Sequence, residues 1–369
     1  MYPAFALVTV LATAQVQGTV VQRHSHWQGG LIVTDTTLHV DHVLSGDVAS
    51  AREIQVRELG GQVDGIAQVA FGEDELPAGD VVTVQLVREG TTWRVARSND
   101  EHVRASKSGD GAAPAGGYVR AMTDINKGCS GQTPVELHWP DGETHYVMDE
   151  HGPHGVDASD AEMAVHAAFD AWASVGCSYF GLTYDGTIEH AQVGYDANRT
   201  NQNVVTWVED DWEGKSTTQA ITLLTFSCSD GVVLDADILV NADNFDFTTD
   251  PDHDDAKKRD LQNVLTHEAG HFVGFAHSPD PESTMYATVK ADETQKRDLT
   301  ASDVAGMCEA YPLEIGPQSA ASPALSGCSV AAGRANHEQD RAVLAAFVLL
   351  AGFFARALKS RARRSNHAS

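Results

Sequence analysis

Residues 261–277, LQNVLTHEAGHFVGFAH, constrain this chain more than any other segment. Leu261, Val264, Leu265, Phe272 and Val273 recur at the spacing of a helical stripe, which places His267 and His271 one turn apart on a single face. Four residues advance about 6 Å and 400° along a helix, so both imidazoles can reach one ion, and neutral imidazoles at that spacing suit zinc. Two ligands leave the coordination incomplete. Gly274 has no Cβ and can end the helix in a left-handed conformation, after which His277 can swing back as a third ligand. A fourth position then stays open for water, which separates a catalytic zinc from a structural one. Glu268 is offset by about 100° from His267 and can face that water. Zinc lowers the pKa of bound water to about 7, and an adjacent carboxylate can take its proton during attack on a carbonyl and pass it to the leaving amine. With 17 His, 32 Gly and 52 acidic residues in 369, a chance HExxHxxGxxH is an event on the order of 10⁻³ or rarer.

Composition narrows the partners and the compartment. Hydrophobic residues make up 42% and charged residues 21%, a globular balance that excludes a disordered or fibrous chain, and 369 residues suggest more than one domain. The net charge of −27 would repel a phosphate backbone, so nucleic acid is not an expected partner. Five cysteines occur, Cys129, Cys177, Cys228, Cys308 and Cys328, none in a CxxC pair. That usage points to disulfides in an oxidising compartment. Among the first four, three pairings are open; the expectation carried forward is Cys129–Cys177 with Cys228–Cys308.

Both ends carry apolar runs. Residues 2–14, YPAFALVTVLATA, end in the small-residue pattern Ala12-Thr13-Ala14. Residues 1–14 are therefore expected to be an export signal, with a buried first strand as the alternative. Residues 342–355, AVLAAFVLLAGFFA, would cover only about 21 Å as a helix, short of the hydrocarbon core. Arg356, Lys359, Arg361, Arg363 and Arg364 follow, and Cys328 precedes the run after a small-residue linker at 313–327. This order in residues 328–369 resembles the C-terminal sorting tail of myxobacterial surface proteins, in which the cysteine marks the processing and anchoring position. The resemblance implies membrane or cell-surface association through the tail.

Between the ends, residues 19–105 show short β-rich runs (GLIVT, TLHV, IQVR, VVTVQL, TWRV) separated by Gly, Asp and Asn turns, with no helical period. A small all-β barrel or sandwich without metal-ligand spacing is expected there. Residues 106–117 are small and polar and read as a linker. Residues 118–312 are mixed: strands at 144–148, 180–184, 204–207, 220–226 and 232–240, a helix starting at Ser159 with Glu162 completing a capping box, the histidine helix, and a closing helix capped by Thr300. The expected class is α+β.

Ser283-Thr284-Met285-Tyr286 follows the zinc motif, with Met285 eight residues beyond His277. Together they resemble the metzincin proteases, whose signature is this motif and a Met-turn. Ser278, Met285-Tyr286, Ala168-Phe169-Asp170-Ala171-Trp172 and Asp235-Ala236-Asp237-Ile238 are similar to the matrixins within that group. The resemblance implies a twisted, mixed five-stranded sheet with three helices, zinc on His267, His271 and His277, and Glu268 as general base. It also implies Met285 as an apolar floor, and a peptide or protein substrate laid along the edge strand at 220–226. Two features depart from the family pattern. No Pro-Arg-Cys-Gly switch precedes the domain, which leaves Cys129 as an alternative zinc ligand. No His lies between His190 and His253 to hold a second, structural zinc. Calcium on the acidic run 243–255 stands beside the plainer reading of a solvated loop. The expected protein is an exported, monomeric zinc endopeptidase. Its rival is a surface-displayed binding protein on a silent metzincin scaffold, which would have no need of Glu268.

Overall fold

The computed structural model describes residues 12–98 and 117–313, apart from 49–50, 74, 90–91, 126–128, 130, 213, 253–254, 256 and 291. Most of the export signal, the 106–117 linker up to residue 116, and the tail with Cys328 lie outside the described residues. Among the described residues no helix is long and apolar enough to cross a membrane.

The first strands alternate inward and outward residues, so they close on themselves around one apolar interior. Strands β1 (Thr13–Gln28), β2 (Leu31–Gly46), β3 (Glu53–Leu59), β6 (Val81–Glu89) and β7 (Thr92–Ser98) form a barrel in the order β1-β2-β3-β7-β6. Val16, Val20, Leu38, Val56, Leu76, Val84 and Leu86 fill it and are almost fully buried. Ala14 belongs to β1 and is 2% exposed, so a leader cut after Ala14 would take the first two residues of that strand.

A hairpin leaves this barrel. Strands β4 (Gly61–Val63) and β5 (Ile66–Phe71) are joined by Asp64 and Gly65, both with positive φ (52° and 83°), the two-residue connection that matches strand twist. It joins a second sheet with β8 (Glu143–Asp149), β9 (Gly181–Ile188), β10 (Val204–Val208), β11 (Ala220–Ser227) and β12 (Val233–Asn241), in the order β4-β5-β11-β12-β10-β8-β9. Strands β8, β9, β10 and β12 run parallel, and β11 runs antiparallel to both β12 and β5. The sheet is thus seven strands wide rather than the expected five, because the outer edge of β11, expected to be open, is paired with a strand from the N-terminal region. A short parallel pair, β13 (Asp246–Thr248) and β14 (Lys258–Asp260), precedes the histidine helix.

Among the described residues there are three α-helices, of which the first two pack against the sheet. Helix α1 (Ala158–Ala173) buries Ala161, Val165, Ala168, Phe169 and Trp172 along one stripe. It starts before Ser159, with Asp157 at the cap position and no side-chain cap bond. Helix α2 (Leu261–Phe272) is buried on every side except at Gln262, and α3 (Ala301–Ala310) opens with a capping box between Thr300 and Asp303. Indole groups tie the layers: Trp172 Nε1 donates to Thr266 O (2.8 Å) and Trp139 Nε1 to Phe272 O (2.8 Å).

The disulfides differ from expectation: Cys129 pairs with Cys228, and Cys177 with Cys308. Chain order misleads here because topology decides proximity. Cys177 follows α1, where Tyr179 N donates to Tyr311 O and Leu313 N to Cys177 O, so α3 ends beside it. Cys228 follows β11 in the turn where His138 N donates to Gly231 O, and the segment before His138 folds back on itself (Thr123 N to Val135 O, Leu137 N to Ala121 O) with Cys129 N bonded to Thr123 O. With its sulfur in a disulfide, Cys129 is not a metal ligand.

Candidate metal centre

The helix that carries the histidines is held at both ends. At its start the Asp260 carboxylate accepts from Asn263 N (2.8 Å) and is gripped by the Arg297 guanidinium, with Nε 2.8 Å from Oδ1. At its end Gly274 adopts φ +101°, and Phe275 N returns to Gly270 O (2.9 Å), which reverses the chain. A Cβ at Gly274 would lie 2.9 Å from Leu137 O, so the position needs glycine for space as well as for conformation.

That turn brings His277 back over the helix. The ligand atoms of His267, His271 and His277 lie within 4.8 Å of one another. The Nε2 atom of His277 is 3.3 Å from that of His267 and 3.2 Å from that of His271. Zn–N bonds of about 2.0–2.1 Å in a tetrahedron place nitrogens about 3.3 Å apart, so the spacing fits a zinc ion. The other ring nitrogens agree. Nδ1 of His267 sits 2.7 Å from Thr284 O and Nδ1 of His271 sits 2.8 Å from Phe275 O. A carbonyl only accepts, so each Nδ1 carries the proton and each Nε2 keeps its lone pair for a metal. Burial, followed by the Lys296 charge and the neighbouring imidazoles, holds His267 well below the usual histidine range; burial and then His277 do the same for His271. Burial brings His277 down to about 4. The neutral imidazole, the form a metal needs, is thus favoured at all three positions.

Glu268 lies beside this cluster, 5% exposed. Its Oε2 accepts from Thr222 Oγ1 of β11 (2.6 Å), and the same hydroxyl lies 3.1 Å from the backbone oxygen of Glu268. Burial pushes the carboxyl up to about 7 against that hydrogen bond and the nearby Lys296 charge. Lys296 is a group the sequence reading missed. It is 4% exposed, its ammonium donates to Tyr286 O and Thr288 O, and it lies 3.9 Å from Glu293. Nothing in its sequence context distinguishes it from a surface lysine; its burial comes from a loop folding over it.

Met285 is 1% exposed and packs against Gly270 of the histidine helix. Its turn is fastened by Ser278 N to Met285 O (2.8 Å), by Ser283 Oγ to Asp303 Oδ1 (2.7 Å) and by Thr284 N to Asp303 Oδ2 (3.0 Å). Asp303 therefore serves both the cap of α3 and the floor of the site. A Cβ on Gly270 would collide with Met285 Sδ and lie 2.6 Å from Trp172 Cζ2. Gly270→Ala is accordingly expected to destabilise the zinc-loaded protein by about 1–3 kcal/mol in urea denaturation, although alanine is the better helix former. Unchanged stability would show that the floor gives way freely.

The acidic run at 243–255 forms no metal-ligating group among its described residues, and the three histidines are the one such cluster in the described chain.

Residues 138–312 match the family model of matrixin, peptidase family M10, a family of zinc-dependent metalloendopeptidases. This stretch is a matrixin domain. The chain is also similar to metalloendoproteinase 1-MMP of Arabidopsis thaliana, 44% identical over 52 residues, covering 14% of this chain and 14% of that protein. It is similar to matrilysin of Rattus norvegicus, 44% identical over 48 residues, covering 13% of this chain and 18% of the relative. Metalloendoproteinase 2-MMP of Arabidopsis thaliana is 35% identical over 81 residues, 22% of this chain and 19% of its own length. The chain thus spans under a fifth of these relatives. Within the matrixin domain, the histidine cluster, Glu268 and Met285 are buried, on α2, the chain after it and the turn that α3 fastens, with β11 reaching Glu268 through Thr222.

Proposed function

We propose that the matrixin domain is a zinc-dependent endopeptidase, with His267, His271 and His277 as ligands and Glu268 as general base and acid. The observation that carries this reading is the convergence of three lone-pair nitrogens at zinc spacing, with two of the rings oriented through Nδ1 by backbone carbonyls. Zinc bound there would supply an acidified water and polarise a substrate carbonyl. The chain's own part is proton handling. Thr222 holds one oxygen of Glu268, which leaves the other to accept the water proton and return it to the departing amine. All four side chains come from one chain, so a monomer suffices.

The intact Glu268, with a dedicated hydrogen-bond donor, favours an enzyme over a silent scaffold. The two disulfides support an exported protein, and the surface-sorting tail remains part of the same proposal. The deciding experiment is metal analysis of the full chain, combined with incubation against a mixed peptide library read by mass spectrometry. One zinc per chain is expected, with cleavage products that vanish after chelation and return with added zinc. Products that persist in metal-free protein, or a chain that takes up no stoichiometric zinc, would refute the reading.

A further inference from the structure

We propose that the N-terminal barrel is a built-in inhibitor of the metal centre, with the β5 strand seated on the sheet edge that an extended peptide substrate would need. The inference rests on the endopeptidase reading above.

A peptide recognised by strand addition requires a strand with one free row of backbone donors and acceptors. From Thr222 to Ser227, strand β11 has none. Its inner row pairs with β12 and its outer row with β5, antiparallel, through the pairs Thr222 with Phe71, Leu223 with Ala70, Leu224 with Val69, Thr225 with Gln68, Phe226 with Ala67 and Ser227 with Ile66. Substrate and hairpin therefore compete for one edge.

The register aims the hairpin at the chemistry. Thr222, whose hydroxyl holds the Glu268 carboxylate, is the β11 residue opposite Phe71. The Phe71 ring stacks on His271, with centroids 4.1 Å apart and planes 11° from parallel. His271 is 0% exposed and His267 9%, a poor state of access for a peptide carbonyl. Immediately beyond Phe71, Gly72 takes φ +92° and its carbonyl accepts from Thr218 Oγ1 (3.2 Å), so the chain stays fastened to the segment that leads into β11.

The hairpin is fastened on both sides. The Gln68 side chain accepts from Ile32 N of the barrel (2.9 Å) and donates to Thr225 Oγ1 of β11 (2.9 Å), both buried. Val69 and Phe71 pack into the core beneath the sheet, and Ala70 packs with Ile221, Leu223 and Trp212 on the opposite face. Arg94 of β7 donates to Trp212 O (2.9 Å), a further tie between the barrel and the domain. A substrate gains the edge only when these contacts open, so apparent affinity falls by the fraction of molecules that are open.

The test uses the zinc-loaded full chain as wild type, Phe71→Ala, and Val69→Pro, which removes a backbone donor from β5. Zinc content, affinity for a fluorescent peptide hydroxamate and hydrolysis of a quenched peptide are measured on each. Equal zinc is expected throughout, with hydroxamate affinity and kcat/KM raised about ten-fold or more in the variants. A wild type that binds the hydroxamate and cleaves as well as a folded Phe71→Ala chain overturns the inhibitor. Tighter hydroxamate binding in the variants without hydrolysis in any chain supports the inhibitor and refutes the endopeptidase. Absence of zinc from every chain overturns both.

Discussion

Glu268→Gln is expected to lower kcat/KM for peptide hydrolysis about 10²–10⁴-fold, the usual contribution of a positioned general base, while one zinc per chain is retained. The substitution is close to isosteric. A glutamine oxygen can still accept from Thr222 Oγ1, so the side chain keeps its place, but an amide takes no proton from water. The ligands are untouched: His267 and His271 are oriented by the carbonyls of Thr284 and Phe275, not by Glu268. The loss of a buried negative charge leaves Lys296 with the carbonyls of Tyr286 and Thr288 and the Glu293 carboxylate, so the loop over it should hold. The comparison is best repeated in the Phe71→Ala background, where substrate access does not limit the wild-type rate. A rate within a few-fold of wild type in that background would remove Glu268 from the proton pathway.

The centre was legible from one segment because its requirements are local. Helical spacing places His267, His271 and Glu268, a glycine without Cβ permits the reversal at Gly274, and the third imidazole follows within three residues. Met285 and the cap of α3 are likewise short-range patterns. What escaped the sequence reading depends on which distant segments meet. Asp64-Gly65 is a good hairpin turn, yet nothing in residues 61–71 says that the hairpin abandons its barrel for a strand some 150 positions away. A strand with β-branched and small residues on both faces can be buried on either side, so its partner is chosen by shape. Lys296 is invisible for the same reason: its burial depends on carbonyls contributed by a loop folded over it. The start of α1 slipped because Asp157 and Ser159 are both cap-type residues and neither position alone decides.

The disulfide pairing separates two regions of the domain, and its removal gives the second large effect. The bond between Cys129 and Cys228 spans 99 residues, a loop for which cross-linking typically stabilises by about 2–5 kcal/mol. It also anchors a strap that runs under the histidine turn. Ala121 N donates to Gly274 O (2.9 Å) and Ala276 N to Val119 O (2.9 Å), so the reversal that delivers His277 is hydrogen-bonded to the segment this disulfide secures. Cys129→Ser combined with Cys228→Ser should therefore lower stability by about that amount and weaken zinc binding as well. The bond between Cys177 and Cys308 spans 131 residues and joins the end of α1 to α3, which meets the reversal through a side-chain bond, Tyr311 Oη to Val273 O (3.0 Å), and not through the backbone bonds at Gly274 and Ala276. Its double serine variant should lose comparable stability and keep its zinc affinity. Non-reducing peptide maps, denaturant midpoints and zinc competition titrations on the two variants read both effects. Equal zinc loss in both would mean that the strap does not position His277, and a map joining Cys129 to Cys177 would reverse the assignment itself.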